Sequence, residues 1–226
     1  MQLLQASASS VGSKILIALT GLGLAVFLVG HLAGNLLFLV GPQAFNEYSH
    51  KLISNPLIYV VELGLVAVFF VHVAKTVSGY LDNRSARPTS YAVRRWARSK
   101  NPKSRKSVAS STMILTGTIT ALFVVTHLAT FKFGAYYETP DGIRDLYTLQ
   151  LQVFSSPGYV VFYLVAMAVI CFHLWHGLSS AAQSLGVDQE QWTPRILITG
   201  RILAVIIAGG FFIIPIYTFL LSRGAL

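Results

Sequence analysis

Apolar residues dominate five long stretches of the chain, at about 13–40, 57–81, 108–134, 158–185 and 195–222. A helix rises 1.5 Å per residue, so about 20 apolar residues cross the hydrocarbon core of a bilayer, and each stretch is at least that long. A closed barrel would instead show alternating segments of about 10 residues, and these runs are too long and too uniform for it. Breakers separate them: Gly41-Pro42, Asn55-Pro56, a polar stretch holding Pro88 and Pro102, Ser156-Pro157-Gly158, and residues 187–194 ending at Pro194. Backbone polar groups in lipid must find partners within the segment, which leaves an α-helical bundle. The pattern predicts an all-α integral membrane protein of five transmembrane helices, forming a single domain over residues 1–226.

Composition strengthens this reading. Hydrophobic residues make up 54% of the chain and charged ones 11%, against roughly 25% charged in a soluble domain. The net charge of +9 does not point to nucleic acid, because nine of the 17 Lys and Arg lie between Arg84 and Lys106, in one loop between spans. Basic residues collect in cytoplasmic loops. That loop is therefore expected in the cytoplasm, with the N-terminus inside and the C-terminus outside. The opening MQLLQASASSVGSK lacks the charged region and cleavage site of a signal peptide, so the first apolar run reads as a retained helix. Cys171 is the one cysteine, which excludes a disulfide or a cysteine-ligated cluster within the chain.

Histidines carry the chemistry. Of six, His50 falls in an outer loop and reads as polar surface; His31, His72, His127, His173 and His176 lie within four different spans. Counting from the inner ends of the spans, His31 stands about 27 Å up and His127 about 28 Å. His72 stands about 14 Å up, His173 about 18 Å, and His176 about 4–5 Å lower than His173. Two levels emerge: His31 with His127 at the outer one, and His72 with either His173 or His176 at the inner one. Paired imidazoles at one depth on facing helices suit a low-spin b-type haem, whose iron takes one on each face. Two such pairs would hold two haems stacked across the membrane. A single buried histidine is more often a hydrogen-bonding partner of a neighbouring helix, but four at two matched levels favour haem. Zinc would need its ligands to converge on one point.

Other polar residues have two readings each. Lys14 and Lys75 lie near the inner face, as partners for haem propionates or as cations reaching lipid headgroups. Glu62 is the one acid within an apolar run, about 15 Å further out than His72. It is read either as a quinone and proton site or as a solvated surface carboxylate. Arg201 reads as an interfacial anchor. His176 points about 60° away from His173 around the helix; its candidate roles are a propionate partner, a quinone contact or a hydrogen bond to another helix.

The stretches SSVGSKILIALTG, GHLAGNLLF, NPLIYVVELGL, FFVHVAKTVSGY, VVTHLATF and FHLWHGLSSAAQSLG together resemble the dihaem cytochrome b membrane-anchor subunits of succinate:quinone oxidoreductases, the single-anchor, five-helix type related to fumarate reductases. The resemblance covers nearly the whole chain. It implies His31 and His127 as iron ligands of an outer haem b, and His72 and His173 as those of an inner one. It also implies His173 rather than His176, because the family's fourth-span ligand stands about 13 residues before a helix-ending glycine, as His173 does before Gly186. The implied partners are a flavoprotein and an iron-sulfur subunit on the cytoplasmic side, membrane lipid and a quinone, of which the dihaem type implies menaquinone; a higher oligomer of the complex is compatible. The implied location is the prokaryotic cytoplasmic membrane, and the implied function is passage of electrons from the iron-sulfur subunit through two b haems to quinone. Two rival readings are the dihaem cytochrome b of a hydrogenase or formate dehydrogenase, and a haem-free membrane transporter or assembly protein. Absence of internal repeats and of paired broken helices is the expectation that argues against a transporter.

Overall fold

A computed structural model describes residues 10–86, 112–187, 189 and 191–225. The element order is α1 (Ser10–Leu36) ending in a 3-10 turn (Leu37–Leu39), α2 (Pro42–Ile53), α3 (Leu57–Ser85), α4 (Met113–His127) running into a π turn (Leu128–Lys132), α5 (Leu146–Phe154), α6 (Pro157–Ser184) and α7 (Thr193–Ser222). Among the described residues five helices are long and apolar enough to cross a membrane: α1, α3, α4 with its π turn, α6 and α7. The chain is thus an all-helical, multi-pass membrane protein. Basic residues Arg87–Lys106 and the first residues of the third expected span lie outside the described residues.

Local chemistry sets the helix ends. Gly41 has φ +136°, and Pro42 follows it at the first turn of α2, where a missing N–H costs nothing. Pro157 opens α6 in the same way. Asp145 caps α5 by accepting a hydrogen bond from the Thr148 amide at 2.9 Å. Helix α6 ends in a Schellman motif around Gly186 (φ +90°), with the Val187 amide bonded to the Ala182 carbonyl and the Gly186 amide to that of Gln183, both at 3.1 Å.

The core runs between α1, α4, α6 and α7. Ala25, Phe123, Tyr163, Met167, Ile170 and Ala204 are among its buried members. Glycines let helices close up. A Cβ on Gly200 of α7 would lie 2.6 Å from Ser179 Oγ of α6, and one on Gly210 would lie 2.6 Å from Leu32 Cδ2 of α1. By contrast α3 buries none of its residues, and it meets α1 where Val68 approaches Gly23 and His72 lies on Gly21.

Two short helices, α2 and α5, close the end of the bundle expected to be the outer one. Asn46 of α2 is buried at 3% exposure; it donates to Asp145 at 2.8 Å and accepts from the Tyr147 amide at 3.0 Å. Phe38 stacks on Tyr147, with ring centres 4.2 Å apart. Burial alone would raise the Asp145 carboxyl, but hydrogen bonds from Thr148, Asn46 and Tyr147 outweigh it and hold the group below the usual carboxylate range.

Candidate functional site

At one level, expected to be the outer one, α1 and α4 bring His31 and His127 into contact, with ring centres 5.7 Å apart and planes crossed at 89°. Aromatic rings surround the pair. Phe27 stacks on His31 at 5.2 Å and Phe123 on His127 at 5.7 Å, each from one helical turn earlier on the same helix. Phe211 of α7 and Phe131 of the π turn close in at 5.7 and 5.4 Å. Tyr163 of α6 shares a hydrogen bond with His127 Nδ1 at 3.3 Å. Asn35 is committed to the His31 carbonyl at 2.8 Å, and its amide reaches His31 Nε2 only at 3.5 Å.

At the inner level, each histidine lies against a Thr-Gly pair on the neighbouring helix. His72 Nδ1 is 3.1 Å from Thr20 Oγ1, and a Cβ on Gly21 would come within 3.0 Å of His72 Cε1. His173 Nδ1 is 3.3 Å from Thr116 Oγ1, and a Cβ on Gly117 would come within 3.2 Å of His173 Cε1.

These two seats expose a repeat, and the expectation of no internal repeat does not hold. Residues 19–33 (LTGLGLAVFLVGHLA) and 115–129 (LTGTITALFVVTHLA) match at nine of 15 positions, at an offset of 96 residues. The identities fall on the Thr-Gly seat, on the stacking Phe and on the outer His. They escape a composition scan because they lie in uniformly apolar runs. This repeat does not revive the transporter reading, since its shared positions include the outer histidines and the seats of the inner ones, and no pair of broken helices accompanies it among the described residues. Thr20, Gly21, Phe27 and their counterparts were the residues sequence reasoning missed, and the repeat is the signal that would have found them. In both copies 11 residues separate the Thr from the His, so the two levels stand about 16 Å apart along the helix.

The remaining candidates lie at the rims. Glu62 is not a lone buried carboxylate: it pairs with Lys132 at the end of the π turn, and the two side chains are 39% and 42% exposed. Arg144 donates to the carbonyls of Phe131 and Lys132, capping that turn. Lys14 is exposed near the inner end of α1, and seven residues place it on nearly the same helical face as Gly21. Lys75 is half-buried one turn below His72, and His176 is half-buried one turn below His173. Arg201 lies over the Trp175 ring at 5.5 Å, an arrangement fitting a membrane-interface anchor. His50 is exposed. Among the described residues no three His, Cys, Asp or Glu converge on one point.

Fold and site define a class: a helical membrane bundle with His31 and His127 in ring contact, and with His72 and His173 each seated on a Thr-Gly pair of α1 or α4. Over 178 residues the chain is 27% identical to the succinate dehydrogenase cytochrome b558 subunit of Bacillus subtilis (strain 168), a match that covers 76% of this chain and 77% of that protein. No family model and no solved structure matches the chain.

Proposed function

We propose that the chain is the membrane-anchor cytochrome b subunit of a succinate dehydrogenase, holding two b haems and carrying electrons from an iron-sulfur subunit to a membrane quinone, menaquinone. The carrying observation is that His31 and His127 stand in ring contact on two helices, while His72 and His173, on two others, lie against matching Thr-Gly seats. The similarity to the Bacillus subtilis protein supports the same reading through that protein's name.

The residues fit the group. His31 and His127 stand in ring contact, with centres 5.7 Å apart, so two imidazoles lie close enough to be offered to one metal ion. Apolar aromatic walls are the surroundings a buried macrocycle requires, and they raise the cost of charge near it. His31 and His127 would ligate the outer iron, His72 and His173 the inner one. A bis-histidine haem supplies one-electron transfer at a potential tuned by burial and hydrogen bonding. The protein's own part is to hold the imidazoles at fixed depths and to keep water out. Lys14, Lys75 and His176 stand towards the inner rim, where cationic or donor groups would meet propionates. Glu62 with Lys132, at the outer rim, is the proposed place for proton exchange with quinone. The basic loop, expected in the cytoplasm, would face the flavoprotein and iron-sulfur subunits.

A pyridine haemochrome assay on the purified chain tests this, with about two b haems per chain expected. Fewer would defeat the reading. Copurification of a flavoprotein and an iron-sulfur protein is the second expected result, and their absence from a gently solubilised membrane complex would defeat the succinate dehydrogenase assignment.

A further inference from the structure

We infer that Thr20 and Thr116 are positioning residues that fix the inner histidines by their outward nitrogens and lower the potential of the group those histidines hold. The inference rests on the haem reading above. It begins with proton accounting. A threonine hydroxyl has one proton to donate and two lone pairs that accept. Thr20 Oγ1 stands 2.7 Å from the Leu16 carbonyl and 3.1 Å from that of Ile17, so its proton is spent on the backbone of its own helix. The contact to His72 Nδ1 at 3.1 Å must then be an N–H donated by the ring. Thr116 repeats the arrangement, with the Thr112 and Met113 carbonyls at 3.1 and 3.2 Å and His173 Nδ1 at 3.3 Å.

A neutral imidazole with its proton on Nδ1 has its lone pair on Nε2. Both inner histidines are thereby held in the tautomer that offers Nε2 to a metal. The glycine after each threonine lets the ring lie against helix backbone: methyl groups at these positions would stand 3.0 and 3.2 Å from the ring Cε1 atoms. Hydroxyl and glycine together fix the ring's tautomer, height and tilt. A ring donating from Nδ1 is a stronger electron donor to its metal, which favours the oxidised iron and depresses its potential. At the outer level His127 Nδ1 meets the Tyr163 hydroxyl instead of a threonine.

The test uses the full chain in its membrane complex, with Thr20→Val, Thr116→Val and the matching Thr→Ser variants. Redox titration is followed by the haem absorption band and by low-temperature electron paramagnetic resonance. The inner component is identified as the one missing from His173→Ala. Loss of one net hydrogen bond of about 1 kcal/mol should change the oxidised-to-reduced ratio of the inner haem about fivefold, which at about 59 mV per tenfold for one electron is a rise of about 40 mV. The outer haem should keep its potential, and each serine variant should restore the original value. If a valine variant sheds the inner haem while its serine partner keeps it, the seat is equally supported. Unchanged inner potential and spectrum in both valine variants would overturn the inference, as would an equal shift of both haems or loss of haem in the serine variants. A parent protein carrying no b haem would defeat the function reading itself, a result distinct from two haems indifferent to the substitutions.

Discussion

Replacing Asp145 with alanine should loosen the outer end of the bundle. The carboxylate accepts three hydrogen bonds: from the Thr148 amide at 2.9 Å, from the Thr148 hydroxyl at 2.7 Å and from the Asn46 amide at 2.8 Å. Losing the helix cap costs about 1 kcal/mol. Leaving the buried Asn46 amide without its acceptor costs about 1–3 kcal/mol more. Partial exposure of the carboxylate adds solvent screening, so the loss should fall near the lower end of about 2–4 kcal/mol. At about 2–4 °C per kcal/mol for a chain of this size, the melting temperature should drop by about 4–12 °C. Asp145→Asn keeps an oxygen for the cap and should cost about 1 kcal/mol or less. The pH dependence separates the two effects. The folded carboxyl titrates below its usual value of about 4, so its contribution is complete above that pH and is lost as pH falls through the lower, folded value. Thermal melts of the detergent-solubilised protein, followed by near-ultraviolet circular dichroism, should show a gap between parent and Asp145→Asn that is constant from pH 7 to about 5 and closes below about pH 4. An alanine variant melting within about 1 °C of the parent, or a parent-to-asparagine gap independent of pH, would refute the reasoning.

Three further outcomes follow from the site. His173→Ala should halve the haemochrome yield, from two b haems to one, whereas His176→Ala should retain both; haem loss in the His176 variant alone would reverse the assignment. Glu62→Gln should leave the melting temperature nearly unchanged, because an exposed ion pair contributes about 0–1 kcal/mol, while lowering quinone turnover several-fold at constant haem content. Gly210→Val should destabilise the chain by about 1–3 kcal/mol, since even one Cβ there lies 2.6 Å from Leu32 Cδ2; an unchanged thermal melt would show that α1 and α7 can part at no cost.

The spans were legible because lipid imposes a requirement on every residue of a segment. Four of the five expected spans begin or end within four residues of the observed helices, and the third runs into residues outside the described set. Helices α2 and α5 were not read, because 12 and nine residues fall below the length at which periodicity speaks. Their signals were local ones: Pro42 after Gly41, and Asp145 three residues before Thr148. The π turn was not legible at all. Its exit depends on Gly134, where a Cβ would lie 1.9 Å from the Thr130 carbonyl oxygen. Only glycine admits so close a backbone approach. Nothing in hydropathy reports that constraint, yet the turn sets Phe131 against His127 and brings Lys132 to Glu62.

Depth alone recovered the outer pair, since one helix rise serves both copies of the repeat and puts His31 and His127 at equal heights. It left the inner pair open, because His173 and His176 differ by about one turn, which is the size of the error in placing a helix end. Register favours His173 where depth does not choose. Thr116 is the counterpart of Thr20 at the 96-residue offset, and Thr20 pairs with His72; the residue paired with Thr116 is His173, so His173 is the counterpart of His72. Three residues beyond His72 stands Lys75, and three beyond His173 stands His176. His176 therefore occupies the place of a lysine in the other half of the bundle, one turn nearer the inner rim than the seated ring. A position that takes either lysine or histidine asks for a hydrogen-bond donor that can carry positive charge, and a lysine ammonium has no lone pair to give a metal.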